Sequence, residues 1–129
     1  MILILAAAAA AINPCERAGT QAESTQCAWN DYRRADTALN LQFRDSLEQA
    51  VKRDQFARDN PAVSNVGEPS YTEALRNAQR AWIKFRDLHC QVEGYWGRGG
   101  TIEPMVRNFC LARITRERTE QLRKMWRRR

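Results

Sequence analysis

From Ala28 onward, apolar or small residues recur at Tyr32, Ala35, Leu39, Phe43, Leu47 and Ala50, in steps of three and four. Such steps return a side chain to one face of an α-helix at every turn, whereas strand residues change face at every position. The run opens at Thr20-Gln21-Ala22-Glu23, a hydroxyl followed three residues later by a carboxylate, which is the form of a capping box. The pattern decays after Val51. Asp59-Asn60-Pro61 then forbids continuation, because proline clashes with a helical residue before it and has no N–H to donate. Pro61 to Pro69 contains Ser64, Asn65 and Gly67 and reads as a loop.

Ser70-Tyr71-Thr72-Glu73 is a second capping box. The stripe behind it is Tyr71, Leu75, Ala78, Trp82, Phe85, His89, Val92 and Trp96, again helical, with Trp82 at its centre. Gly97-Arg98-Gly99-Gly100 closes it, since glycine reaches the left-handed conformation that ends helices. Thr101 is placed to cap a third helix, with Glu103 and Pro104 in its first turn. That helix is expected to run to about Met125 through Met105, Phe109, Ala112, Thr115 and Leu122. No window alternates as a strand would. Short connections make successive helices antiparallel neighbours, so the predicted fold is all-α, a small antiparallel three-helix bundle. The glycine turn follows a helix and lacks a Lys-Ser/Thr ending, which argues against a phosphate loop.

The four cysteines, Cys15, Cys27, Cys90 and Cys110, point to two disulfides if the chain is exported and to a metal or redox site if it is not. In an up-down-up bundle Cys27, Cys90 and Cys110 all fall at one end. Cys90 and Cys110 flank the glycine turn and make the natural pair, leaving Cys15 to fold back onto Cys27; the other pairings stay open at this level. Each bridge would stabilise the fold by about 2–4 kcal/mol. Residues 1–12 are an uncharged apolar run resembling the core of a secretory signal with an Ala-x-Ala cleavage site, though without the usual positive start. The run is shorter than the roughly 20 residues that span a bilayer. Ile12-Asn13-Pro14 before Cys15 are not the small residues of a lipid-modification site. The expected organisation is therefore a signal-like segment over 1–12 and one helical domain over 13–129, secreted or periplasmic.

The net charge is +6, unevenly placed. From Arg107 to Arg129, nine basic residues stand against Glu117 and Glu120, while the rest of the chain is close to neutral. This arginine-rich tail could meet anionic lipid or nucleic acid. At the turn, Tyr95, Trp96 and Arg98 have the composition of a binding hot spot, the alternative being that Trp96 caps the core. Asp36 and Asn40, one turn apart beside the seam, and Arg86-Asp87 on the second helix read as polar contacts that fix helix register. His89 has Glu93 one turn away but no nucleophile or electrophile stabiliser in view, so no catalytic site is expected. Zinc on His89, Cys90 and Cys110 would lack the tight Cys-x2-4-Cys spacing of structural sites, and no metal or cofactor is expected.

Cys15…Cys27 with Tyr32-x-x-Ala35-Asp36-x-x-Leu39-Asn40 resembles the opening of the LprI-type lysozyme-inhibitor family. So does Ala78-Gln79-Arg80-Ala81-Trp82-Ile83-x-Phe85-Arg86-Asp87-x-x-Cys90. Gly99-Gly100-Thr101 and Cys110-x4-Thr115-x-x-Arg118-x3-Leu122 complete the resemblance, which adds Arg118 to the structural polar residues. The resemblance implies export, an α-helical fold, disulfides and a protein partner, a lysozyme being the candidate. Animal-type lysozymes are strongly basic and so is this chain, so either such a contact uses the near-neutral body or the target is something else. The leading expectation is an exported binding protein acting by protein–protein interaction; the alternative is a polyanion binder acting through the C-terminal arginines.

Overall fold

The computed structural model describes Cys15, residues 19–62 and residues 69–127. The signal-like segment 1–12, most of the loop before Pro69 and the last two arginines lie outside the described residues. Three helices follow in order, α1 (Gln21–Asp59), α2 (Tyr71–Gly94) and α3 (Glu103–Met125), with a single 3₁₀ turn (Tyr95–Gly97) between the last two. At 1.5 Å per residue α1 is about 58 Å long, and the other two are about 35 Å. No strand occurs among the described residues, and no helix there is long and apolar enough to cross a membrane.

The caps that the sequence announces are largely in place. Glu73 N–H donates to Ser70 Oγ at 3.2 Å and Ser70 N–H returns to Glu73 Oε2 at 3.3 Å, a complete capping box. At α1 the Thr20 hydroxyl accepts from Glu23 N–H, but the Glu23 carboxylate takes Gly19 N–H instead of that of the cap residue. Asn60 closes α1, its Nδ2 donating to the Phe56 carbonyl at 2.9 Å. Two expectations need correcting at the other ends. α2 passes after Gly94 into the 3₁₀ turn Tyr95–Gly97, so the α-helix stops one turn before the later glycines; and Ile102, with no side-chain cap, starts α3 in place of Thr101. Pro104 in the first turn of α3 supplies a preset φ and has no N–H to orphan, so the helix starts without a hydroxyl.

Cross-helix contacts give the topology. Asp54 meets the start of α2 and Asp36 meets its Arg86, so α1 and α2 are antiparallel. Gln79 meets Arg118 and Cys90 meets Cys110, so α2 and α3 are antiparallel too. Gln21 reaches Met105 and Asp31 reaches Arg116, which makes α1 and α3 parallel. The fold is thus the expected antiparallel three-helix bundle, with disulfides Cys15–Cys27 and Cys90–Cys110. Both bridges lie at one end, where Asn108 Nδ2 also donates to the Thr25 carbonyl at 3.4 Å.

Leu39, Ala50, Leu75 and Leu122 form one core cluster, flanked by Phe43, Leu47 and Trp126. Cys90, Cys110 and Ile114 form another, and Trp82 packs against both. The stripe on α1 is the expected one, with Ala28, Ala35, Leu39 and Ala50 buried. The stripe on α2 is not. Its inward face is Leu75, Gln79, Trp82, Arg86 and Cys90, whereas Ala78, Phe85 and Val92 face solvent. Two long polar residues take the buried positions because each finds partners there, and the apolar residues beside them are left outside.

Candidate functional site

The end that carries both disulfides also presents the expected aromatic cluster. Gly94, the last residue of α2, lies close against α3: a Cβ there would come within 3.3 Å of the Arg107 Cβ. Gly97 is more tightly constrained: a Cβ would stand 2.6 Å from Ile102 Cγ1 and 2.8 Å from the Glu103 nitrogen. The loop therefore folds back onto its own helix end, helped by Gly99 at φ +80° and by a 2.9 Å bond from Gly100 N–H to the Gly97 carbonyl. With Cys90–Cys110 joining the flanking helices, this turn is a closed and braced element.

Trp96 is 89 % exposed on that turn, so it does not cap the core. Tyr95 beside it is exposed as well, with the Arg98 guanidinium 4.5 Å from its ring centroid and Gln91 Nε2 donating to its hydroxyl at 3.0 Å. The three residues singled out in the sequence are thus brought together at one bundle end. An aromatic ring in water on a fixed backbone offers a large apolar area with little conformational entropy left to lose on contact.

Below this end, a groove of about 230 Å³ runs between α2 and α3, lined by Trp82, Phe85, His89, Arg113, Ile114, Glu117 and Gln121. His89 Nε2 donates to Glu93 Oε1 at 2.9 Å, and Arg113 Nη2 donates to the same oxygen at 2.5 Å. The Arg113 bond holds the Glu93 carboxyl below its ordinary value, outweighing partial burial, with His89 adding to the effect. His89 and Glu93 lie close to Cys110 Sγ in a grouping that could suggest a metal site. That sulfur is bonded to Cys90, which removes it as a thiolate ligand and leaves two donors.

The polar residues beside the seam form a network around Trp82. Arg86 is buried and donates through Nε to Asp87 at 2.9 Å and through Nη1 to the Thr115 hydroxyl at 3.4 Å, with Asp36 at 3.7 Å. Its guanidinium lies 5.2 Å from the Trp82 ring centroid and 5.4 Å from that of Tyr32. Arg118, also buried, stands 5.8 Å from the Trp82 ring and donates to Gln79 Oε1 and Gln121 Oε1. Burial pushes the Arg118 guanidinium below its ordinary value and the Tyr32 hydroxyl above its own, the latter against the pull of Arg86. Asn40 is exposed and stays outside this network. Tyr32, Gln79 and Thr115 had appeared in the sequence only as seam or motif positions; their partners lie on other helices.

The basic C-terminal segment is partly consumed inside the molecule. Arg113 pairs with Glu93, Arg116 with buried Asp31 and Arg123 with Glu120, and Arg118 is enclosed. Trp126 belongs to the core edge, with the Arg53 guanidinium 4.8 Å from its ring centroid. Arg107, Lys124 and Arg127 are the exposed cations of this segment without an ion-pair partner among the described residues.

The family model described as lysozyme inhibitor LprI matches residues 12–122. An uncharacterized protein of Rhizobium meliloti (strain 1021) is 39 % identical over 111 residues, covering 86 % of this chain and 77 % of that protein. No solved structure matches the chain.

Proposed function

The chain belongs to the LprI lysozyme inhibitor family, and from that premise we propose that it is an exported, secreted or periplasmic, binding protein that engages a protein partner stoichiometrically, a lysozyme being the first candidate. The observation that carries the reading is Trp96, held out into solvent on a turn braced by the Cys90–Cys110 bridge. Tyr95 and Arg98 extend the same surface, and Trp, Tyr and Arg are the residues that most often dominate binding energy. Two disulfides suit a compartment outside the cytoplasm.

The alternative of polyanion binding has less support, because Arg113, Arg116, Arg118 and Arg123 are already engaged by the protein's own side chains. A contact with a basic lysozyme would instead avoid the C-terminal segment and use the near-neutral body and its turn. The test is a lysis assay in which oxidised protein is titrated into an animal-type lysozyme acting on bacterial cell walls. Loss of lytic activity that saturates near an equimolar ratio is expected. Undiminished lysis at a large molar excess would remove lysozyme as the partner.

A further inference from the structure

The turn between α2 and α3 differs in charge chemistry from the helix that follows it. Arg113, Arg116 and Arg123 are engaged by carboxylates of the chain itself, whereas Arg98 has no carboxylate partner among the described residues. Its guanidinium rests against the Tyr95 ring, and no acceptor among the described residues takes its side-chain N–H donors. Glu93, just before the turn, is taken up by Arg113 and His89. Residues 94–102 themselves contain no carboxylate. The backbone that carries Trp96 is also pinned locally, Arg98 N–H donating to the Tyr95 carbonyl at 3.0 Å. The turn thus offers an exposed indole and one unanswered cation on a fixed frame.

A concave surface that holds a carboxylate and accommodates flat rings complements such a turn. Most of the surface of an animal-type lysozyme is basic and repels Arg98. Its substrate cleft is the exception, because a retaining glycosidase works with two carboxyl groups there. One stays protonated as the general acid and the other stays ionised. A guanidinium entering the cleft therefore meets a full negative charge with little water around it, where a charge-assisted hydrogen bond is strong. The same cleft is shaped to hold sugar rings, and an indole already fixed in place loses little entropy on taking a ring's position.

On the lysozyme reading, on which this step rests, we infer that the turn enters the substrate cleft. Arg98 pairs with the ionised carboxylate, Trp96 occupies a sugar-ring position, and inhibition is competitive with the glycan. Lys124 is then about 30 Å away along α3, clear of the basic surface around the cleft. This is how two basic proteins can meet without their like charges in contact.

Competition calorimetry with the oxidised protein, an animal-type lysozyme and the soluble trisaccharide of N-acetylglucosamine tests the placement. With the trisaccharide at about ten times its own Kd, binding of the protein should weaken roughly tenfold, as mass action requires of a shared site. A second arm uses lysozyme whose ionised catalytic aspartate is replaced by asparagine. Arg98→Gln should weaken binding to native lysozyme about tenfold, but to the asparagine form by no more than about twofold, since the charge it answers is gone. The variant should keep the wild-type unfolding temperature, because Arg98 is exposed. Saturable binding that ignores the trisaccharide would overturn the cleft placement and leave lysozyme as the partner. An effect of Arg98→Gln that is equal on both enzymes would overturn the pairing with the carboxylate. Absence of any binding to lysozyme would remove the partner and the placement together.

Discussion

Trp82 sits between two buried cations, with Arg86 and Arg118 both within reach of its ring, and it joins the two core clusters. Replacing it by alanine removes apolar contacts and also the aromatic surface against which two poorly solvated guanidinium groups rest. Trp82→Ala should therefore destabilise the protein by about 3 kcal/mol in denaturant unfolding. A loss below about 1 kcal/mol would contradict the placement of this ring. The importance of Arg86-Asp87 was legible from its place beside an apolar seam. The partners of Arg86 were only partly so: all of Asp36, Tyr32 and Thr115 come from other helices, and only helix rotation decides who faces whom. Asn40 shows the same limit from the other side, since a residue one turn from Asp36 points outward.

At the scale of elements, α1 could be read almost to its last residue, because its buried face is mostly small or apolar and Asn60-Pro61 ends it. The rotation of α2 could not, because this helix is apolar on an exposed face as well as on the buried one. Counting apolar residues blended Leu75 and Trp82 of one face with Ala78, Phe85 and Val92 of the other. The α2–α3 turn yields a second prediction. Gly97→Ala would drive a methyl into Ile102 and the Glu103 backbone, so it should lower the unfolding temperature clearly, whereas Gly100→Ala should do so less. A third concerns acid. Partial burial of Asp54 is outweighed by bonds from the Thr72 hydroxyl and from the Thr72 and Tyr71 N–H groups, which hold its carboxyl below the ordinary value. Glu93 is held down mainly by Arg113. A carboxylate with a depressed folded-state value contributes stability that is complete above its unfolded value and is lost as pH falls through the folded one. Urea midpoints should thus be flat near neutrality and fall below about pH 4. Asp54→Asn and Glu93→Gln should each make that acid limb shallower; an unchanged limb in both would contradict these pairings.

For the whole molecule, the disulfide-closed end and the C-terminal end play different parts. Opening Cys90–Cys110, whose partners are 20 residues apart, should cost about 3 kcal/mol by loop entropy and release the turn that holds Trp96. The Cys90→Ala, Cys110→Ala pair should accordingly weaken partner binding more than its residual fold would suggest. The bundle, the gathering of Cys27, Cys90 and Cys110 at one end and the family resemblance were within reach of the sequence, since helix order sets the first two and collinear motifs the third, while the pairing itself needed the structure. The fate of the basic segment was not, because net charge cannot reveal that four of its arginines are held by Glu93, Asp31, Gln79 and Glu120. Truncating the tail would also remove Trp126 from the core edge, so the clean change is Lys124→Gln with Arg127→Gln. The most direct measurement is calorimetric titration of animal-type lysozyme with the oxidised wild type, with Trp96→Ala and with this tail-neutralised variant. Saturable near-equimolar binding is expected, weakened at least about tenfold by Trp96→Ala and changed no more than a few-fold by neutralising the tail. Binding lost on tail neutralisation but indifferent to Trp96→Ala would contradict this expectation.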